Sequence, residues 1–172
     1  MPNNKISFSD QVNLECKIRK RFLTNDLNSN YLLWLSDAEK LLSKLPNEPI
    51  FDLVVTSPPY NIGKEYEKQM PIEEYVKWQE RILDLIYPRL KETGSICWQV
   101  GNYINNGHIV PLDIELAPLF KKYNMKLRNR IIWKFGHGLH NKNRFSGRYE
   151  TVMWYTKSDN YTFKRRQKTY AR

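Results

Sequence analysis

The chain has 172 residues, of which 41% are hydrophobic and 13% aromatic, which is enough to build one core of ordinary domain size. This composition excludes wholesale disorder, and no apolar stretch approaches the roughly 18 to 20 residues that a membrane helix needs. The charge is uneven: residues 121–172 hold fifteen Lys and Arg against two acidic residues, a net +13, whereas residues 1–120 carry −3. This basic, aromatic-rich third has the composition of a nucleic-acid surface, or alternatively of a solvated basic face over core aromatics.

The N-terminus and the cysteines bear on the compartment. The N-terminal segment lacks the apolar region of a secretory signal, and Asp10 and Glu15 do not fit an acidic-poor transit peptide. We therefore expect a cytoplasmic protein. Cys16 and Cys97 are far apart and belong to no CxxC or Cys/His cluster, so neither a disulfide framework nor a metal site is predicted.

Strands and helices are predicted to alternate along the first part of the chain. A short apolar run at residues 31–35 predicts a strand, and Ser36-Asp37-Ala38-Glu39 has the form of a capping box that opens a helix. The prolines within residues 46–49 end this helix. Residues 50–56 (IFDLVVT) then predict a buried parallel strand.

The next predicted elements are a long amphipathic helix and a second strand. Apolar residues recur at helical spacing from Ile72 to Pro88. Thr93-Gly94 is predicted to turn into a buried strand at residues 95–100 (SICWQV). Residues 109–123 predict another helix, which Pro118 should kink or shorten.

The last predicted strands, residues 130–133 and 151–155, flank a polar loop at residues 135–148 and indicate an antiparallel pair. The alternation upstream predicts an α/β fold with a mostly parallel sheet covered by helices on both faces. We find no internal repeat and no Gly/Ser-rich linker.

The sharpest signal is Ser57-Pro58-Pro59-Tyr60, directly after the predicted strand at residues 50–56. Ligands of α/β sheets bind at the carboxyl ends of the strands. The two prolines fix φ and remove two backbone donors, which leaves a stiff loop rich in acceptors. The Ser57 side chain, the Pro58 carbonyl and the Tyr60 ring could hold a planar group that bears an amino group and aim its nitrogen lone pair at an electrophile. A plain proline-rich turn is the alternative.

This tetrapeptide resembles the [DNS]-P-P-[YFW] motif of DNA amino-methyltransferases, and residues 52–64 (DLVVTSPPYNIGK) are similar to those of their β class. The resemblance implies a Rossmann-like methyltransferase sheet and catalytic roles for Ser57, Pro58, Pro59 and Tyr60. It also implies methyl transfer from S-adenosyl-L-methionine to N4 of cytosine or N6 of adenine, in a base flipped out of double-stranded DNA. A restriction-modification system is the expected setting, and Ser57 leaves the target base open.

Other segments match the family in the same order. The resemblance implies that Asp37, with Ser36, contacts the nucleoside of the cofactor, and helix N-capping is an alternative and compatible role. Trp133-Lys134-Phe135-Gly136 resembles the segment whose aromatic residue stacks on the flipped base opposite the motif tyrosine. Phe135 is the better candidate for that contact, because core packing is the alternative for Trp133.

The polar loop carries residues that could contact phosphate, or that could simply form a solvated loop: His137, His140, Lys142, Arg144 and Arg148. Together with Phe135, Trp133 and Lys134, the loop residues His137, Arg144 and Arg148 are our candidates for nucleic-acid binding. Asn102 could line the target pocket or form a turn at a strand end.

The resemblance covers residues 31–163, which we expect to be the catalytic part, between an N-terminal segment (1–30) and a basic tail (164–172) where the recognition region should begin. The family's F-x-G-x-G cofactor loop is not found, since Phe135-Gly136-His137-Gly138 has its glycines one position early. The resemblance therefore implies an incomplete cofactor site, a chain that is inactive alone, and a companion chain as one way to complete it. A non-catalytic DNA-binding subunit or truncated remnant is the alternative, and an RNA- or protein-directed methyltransferase is a third interpretation.

Overall fold

The structure is a computed structural model that describes residues 34–65, 67–136 and 142–165. Its helices are Ala38–Leu42 (α1), Ile72–Ile86 (α2) and Leu112–Lys122 (α3), with a 3-10 turn at Tyr87–Arg89. Its strands are Phe51–Thr56 (β1), Leu90–Val100 (β2), Asn102–Asn105 (β3), His108–Pro111 (β4), Lys126–Lys134 (β5) and Tyr149–Thr156 (β6). Most of the strand predicted at residues 31–35 lies outside the described residues.

Four strands form one sheet in the order β1-β2-β6-β5. β1 runs parallel to β2, with Thr56 opposite Trp98, and β6 pairs antiparallel with both β2 and β5. The α/β class and the antiparallel pair near the end of the chain are as predicted. This arrangement places the carboxyl ends of β1 and β2 beside the start of β6 and the end of β5.

The core lies on one face of this sheet, beneath α2 and α3. The buried residues of α2 are Tyr75, Gln79, Leu83 and Ile86, at the helical spacing that the sequence predicts. Phe120 of α3 stacks on Tyr155 of β6, with 4.1 Å between ring centroids, and meets Trp98 of β2 edge-on at 5.6 Å. These aromatic contacts fix α3 on the sheet.

No described helix covers the opposite face of the sheet, where Tyr161 and Phe163 pack on Trp154 but the part formed by β1 is open. Val55 pairs in register with Cys97, and side chains on this face include Leu53 and Val55, which are 56% and 70% exposed. Trp133 of β5 is 60% exposed. The prediction of a buried strand at residues 50–56 is therefore wrong for this structure, because β1 is an edge strand, and the prediction of helices on both faces fails for the described residues.

The structure corrects two local predictions, the turn at Thr93-Gly94 and the residue that caps helix α1. Thr93 and Gly94 lie inside β2. Phe51 of β1 pairs with Leu90 and Leu53 pairs with Ser95, so β2 advances by five residues where β1 advances by two. The extra residues of β2 leave the ladder as an irregularity instead of forming a turn. At α1, Asp37 rather than Ser36 is the N-cap, and its carboxylate accepts from the N–H groups of Glu39 and Lys40 at 2.9 and 3.4 Å.

The helix predicted from residue 109 begins at Leu112, because residues 108–111 pair with β3 as a hairpin. Asn106 and Gly107 form its turn, with φ values of 48° and 83°, and an Asn-Gly pair is a known signal for this geometry. Helix α3 also continues through Pro118. The lost hydrogen bond is offset there by the burial of Leu116, Leu119 and Phe120 on either side of the proline.

None of the described helices is long and apolar enough to cross a membrane. Among the residues that the structure covers, no group of three or more His, Cys, Asp or Glu is placed to hold a metal ion.

We expect Gly94→Ala to lower the free energy of unfolding by about 1 to 3 kcal/mol. A Cβ atom at this position would lie 2.8 and 2.9 Å from Leu90 Cδ1 and the Lys91 carbonyl oxygen, which is too close for either to remain in place. Urea unfolding measures the change. Gly136→Ala is the control, since a Cβ atom there meets nothing within 4 Å, and equal stabilities of the two variants would contradict the packing argument.

Candidate functional site

A cleft of about 310 Å³ opens where β1 and β2 end and β6 begins. Each neighbouring element contributes to its lining: Tyr60 follows β1, Asn102 follows β2, Phe135 follows β5 and Glu150 lies at the start of β6. Lys64, Gly101, Arg144 and Tyr149 also line it. The cleft thus lies at the edge of the sheet where the sequence predicts ligand binding.

The loop that follows β1 is held rigidly from two sides. The Tyr75 hydroxyl of α2 donates to the Pro59 carbonyl at 2.8 Å. The buried Asn61 side chain accepts from the Met70 N–H at 2.8 Å and donates to the Met70 carbonyl at 2.7 Å. Tyr75 occupies the Pro59 carbonyl, whereas no described residue donates to the Pro58 carbonyl, which stays a free acceptor.

Glu67 fixes the segment that follows. Its carboxylate accepts from the backbone N–H groups of Asn61 and Ile62, each at 2.9 Å. Asn61 has a φ of 60°, an uncommon conformation that these hydrogen bonds hold in place. The turn therefore carries the chain away from Tyr60 in one defined direction.

The Tyr60 hydroxyl belongs to a polar network. It donates to Glu150 Oε2 at 3.1 Å and lies 3.0 Å from the Ser57 hydroxyl, while Gln99 Nε2 donates to the same Glu150 oxygen at 2.5 Å. Burial raises the pKa of Tyr60, the hydrogen bond with Ser57 lowers it, and the charge of Glu150 raises it, with a net upward shift. Tyr60 is therefore a neutral hydrogen-bond donor at physiological pH.

The ring of Tyr60 packs against the backbone at Gly101. A Cβ atom added at Gly101 would lie 3.0 and 3.1 Å from the Cδ2 and Cε2 atoms of the ring. Any residue other than glycine would require the ring to shift by a few tenths of an ångström. Gly101 separates β2 from β3, so the sheet edge itself supports the tyrosine.

Phe135 lines the same cleft as Tyr60, and its N–H donates to the Arg148 carbonyl at 3.0 Å, which extends the pairing of β5 with β6. Trp133 does not line the cleft. It is opposite Glu150 in the ladder, on the open face, and it is not packed in the core. Lys134 is opposite Tyr149, also outside the cleft lining. Their contacts with nucleic acid stay predictions.

The basic residues fall into two groups. Lys126 and Arg128 of β5 pair with Asp159, and Arg130 pairs with the buried Asp113. By contrast, Lys134, Arg144 and Arg148 form no ion pair with any carboxylate that the structure describes. Of these three, Arg144 lines the cleft, and His137 and His140 fall outside the described residues.

The cofactor candidates Ser36 and Asp37 precede α1, and the Asp37 carboxylate caps that helix. No hydrogen bond within the described residues joins either side chain to the Ser57–Tyr60 loop. Capping is thus the role that the structure displays, and contact with a cofactor stays a prediction.

Sequence reasoning missed Gln99, Glu150, Gly101 and Glu67. A signal for one of them was present: residues 121–172 contain only two acidic residues, Glu150 and Asp159. Asp159 pairs with nearby cations, whereas Glu150 accepts hydrogen bonds from Tyr60 and Gln99 in the site. Glu150 was therefore one of only two carboxylates in this segment to consider as a candidate site residue.

Gly101→Ala should lower the pKa of Tyr60 toward the ordinary tyrosine value of about 10. The added methyl group requires the ring to shift by a few tenths of an ångström, and we expect this shift to reduce the burial of the hydroxyl, which is the largest cause of the raised pKa. A ¹³C NMR titration of labelled tyrosine measures this, with Tyr60→Phe assigning the signal among eleven tyrosines. An unchanged Tyr60 titration would show that the ring does not depend on Gly101.

The mixed sheet and the cleft at its carboxyl edge define an α/β protein of the methyltransferase fold. The PvuII DNA methyltransferase (cytosine-N4-specific) matches with a TM-score of 0.63 at 21% identity, over 77% of this chain and 51% of that one. A DNA modification methylase from Thermus thermophilus, solved in complex with S-adenosyl-L-methionine, matches with a TM-score of 0.58 at 23% identity, over 78% of this chain and 57% of that one. At these identities the similarity establishes the fold.

The family follows from the sequence comparisons. Residues 51–171 match the family model N6_N4_Mtase, described as DNA methylase. The type II methyltransferase M.BglII from Bacillus subtilis is 44% identical over 155 residues, which cover 90% of this chain and 42% of that protein. The chain belongs to this DNA methylase family, which confirms the resemblance seen in its motifs. It spans less than half the length of M.BglII and of M.ScaI from Streptomyces caespitosus, of which it covers 44%.

Proposed function

We propose that this chain forms the catalytic and base-binding part of a DNA methyltransferase of the restriction-modification type. The proposed reaction moves a methyl group from S-adenosyl-L-methionine to the exocyclic amino group of cytosine (N4) or adenine (N6). One observation carries the proposal: Ser57-Pro58-Pro59-Tyr60 follows a parallel strand at the sheet edge and borders a cleft that Phe135 also lines. Residues 31–163 constitute the catalytic part in this proposal.

Aromatic stacking is the proposed means of holding the base. Tyr60 and Phe135 line one cleft, and in this proposal their rings stack on a flipped base, which must leave the duplex because its amino group is inaccessible while stacked. Each base–aromatic contact contributes about 1 to 3 kcal/mol. Arg144 lines the same cleft without a described acidic partner, so it is placed to contact the phosphates beside the flipped nucleotide.

Two acceptors orient the amino group. The Ser57 hydroxyl and the free Pro58 carbonyl accept its two protons, and this geometry turns the nitrogen lone pair toward the methyl group. The loop is already fixed by Tyr75 and Asn61, so little conformational entropy is lost when the base binds. The nitrogen is itself the nucleophile and gives up one of its two protons when it gains the methyl group, while the protein contributes position and hydrogen bonds.

The residues present fit one side of a cofactor site. A second recess, of about 250 Å³, is lined by Lys64 and by the four residues Ser57, Pro58, Pro59 and Tyr60, which we call the acceptor loop. Tyr60 and Lys64 line both this recess and the cleft. S-adenosyl-L-methionine supplies an electrophilic methyl group when it is bound. We assign this recess to the methyl donor, and we assign Asp37 and Ser36 to contact with the donor's nucleoside. Residues outside the described part, or a companion chain, would complete the site.

Tyr60→Ala should reduce methyl transfer roughly 5- to 150-fold, which corresponds to the loss of one stacking contact. The assay is labelled methyl transfer to duplex DNA by the full-length enzyme, with circular dichroism to establish folding. Tyr123→Ala is the control, because Tyr123 stacks on Tyr87 at the end of α3, away from the cleft. Equal activity in wild type and Tyr60→Ala would refute the role of the motif, and a wild type that binds DNA without transferring methyl groups would favour a non-catalytic subunit.

DNA affinity should fall steeply with salt, because cations that contact phosphate release counterions. Replacing Arg144 and Arg148 by Gln should reduce the slope of log K against log salt by about 1.8, since each phosphate contact contributes about 0.9. The matched control replaces Lys121 and Lys122 at the end of α3, where Lys122 pairs with Glu80. Equal slopes in both double variants would place the DNA elsewhere.

A further inference from the structure

Four side chains from three parts of the sheet edge form one continuous chain of hydrogen bonds. The Ser57 hydroxyl lies 3.0 Å from the Tyr60 hydroxyl, which lies 3.1 Å from Glu150 Oε2, and this oxygen also receives Gln99 Nε2 at 2.5 Å. Ser57 and Tyr60 belong to the loop after β1, Gln99 to β2 and Glu150 to β6. The chain therefore connects the acceptor loop to the far side of the cleft.

The carboxylate at the end of this chain decides the direction of every hydrogen bond in it. An ionised carboxylate only accepts, so the single proton of the Tyr60 hydroxyl points to Glu150. The Tyr60 oxygen can then only accept from Ser57, and the proton of Ser57 is committed to Tyr60. The remaining lone pairs of the Ser57 oxygen are left to accept from a ligand.

We propose that Glu150 is a positioning residue that makes Ser57 an acceptor for the amino group of the target base, acting through the Tyr60 hydroxyl. This inference rests on the proposed function and adds the residue that sets the direction of the hydrogen bonds of Ser57 and Tyr60. Gln99 assists, because its amide N–H fills a second acceptor position on Glu150 and helps to fix the carboxylate. The arrangement favours a base with an exocyclic amino group over one with a carbonyl at the same position.

Removing the acceptor at position 150 should allow the hydrogen bonds of Tyr60 and Ser57 to reverse their direction. In Glu150→Ala, the Tyr60 proton is free to turn to Ser57, and the Ser57 proton can then point toward the amino group and oppose it. In Glu150→Gln, the side-chain carbonyl can still accept from Tyr60 and from Gln99 with nearly the same shape. The two substitutions therefore separate loss of the acceptor from loss of the charge.

The decisive experiment is a double-mutant cycle between positions 150 and 60, with kcat and KM for labelled methyl transfer measured in the full-length enzyme. We expect Glu150→Ala to lower kcat about 10- to 100-fold with less than a threefold change in KM, and Glu150→Gln to recover most of the loss. In a Tyr60→Phe background, which keeps the ring and lacks the hydroxyl, Glu150→Ala should change kcat by less than about threefold.

Other outcomes overturn the inference in distinguishable ways. Equal losses from Glu150→Ala in both backgrounds would mean that Glu150 contacts the base directly or only supports the fold, and thermal unfolding of each variant separates these two cases. No loss in either background would remove Glu150 from the mechanism while leaving the methyltransferase proposal intact. A wild-type enzyme without methyl transfer would instead refute the proposed function, and the inference with it.

Discussion

The parallel pairing of β1 with β2 is the constraint on which the site depends. This pairing brings Tyr60 and Gly101, which follow the two strands, into contact at one edge of the sheet. The antiparallel return of β6 then delivers Glu150 to the same edge, since Thr151 pairs with Val100 at the end of β2. A shift of one residue in the pairing of β6 with β2 would turn the Glu150 side chain to the opposite face of the sheet and break the hydrogen bonds around Tyr60.

The sequence predicted those features that depend on local pattern. The spacing of Tyr75, Gln79, Leu83 and Ile86 predicted helix α2, and the tetrapeptide at Ser57 predicted both the end of a strand and the family. The β3–β4 hairpin was equally predictable from Asn106-Gly107, but the apolar residues that follow were assigned to a helix instead. Exposure of Val55 was not predictable, because a β-branched run has the same composition whether or not another layer covers it.

The contact between Tyr60 and Glu150 lay beyond sequence reasoning for a different reason. These residues are 90 positions apart, and they meet only because β6 inserts between β2 and β5. The positive charge of the last third was likewise an incomplete guide. Asp113 and Asp159 neutralise cations of β5, so the sum over a segment overstates the charge available to a partner and hides its location.

In the proposed reaction the substrate nitrogen is the nucleophile, which would leave the protein to supply geometry. The residues that set this geometry need not touch the substrate: Tyr75 holds the Pro59 carbonyl, Asn61 fixes the exit of the loop and Gly101 admits the Tyr60 ring. Positioning lowers the activation free energy by several kcal/mol only when the reacting atoms are held close together. Small displacements of the residues that support the loop should therefore reduce the rate strongly. The acceptor loop is accordingly built from two prolines and anchored by helix α2, strand β2 and strand β6, with no ionisable group of its own other than the tyrosine.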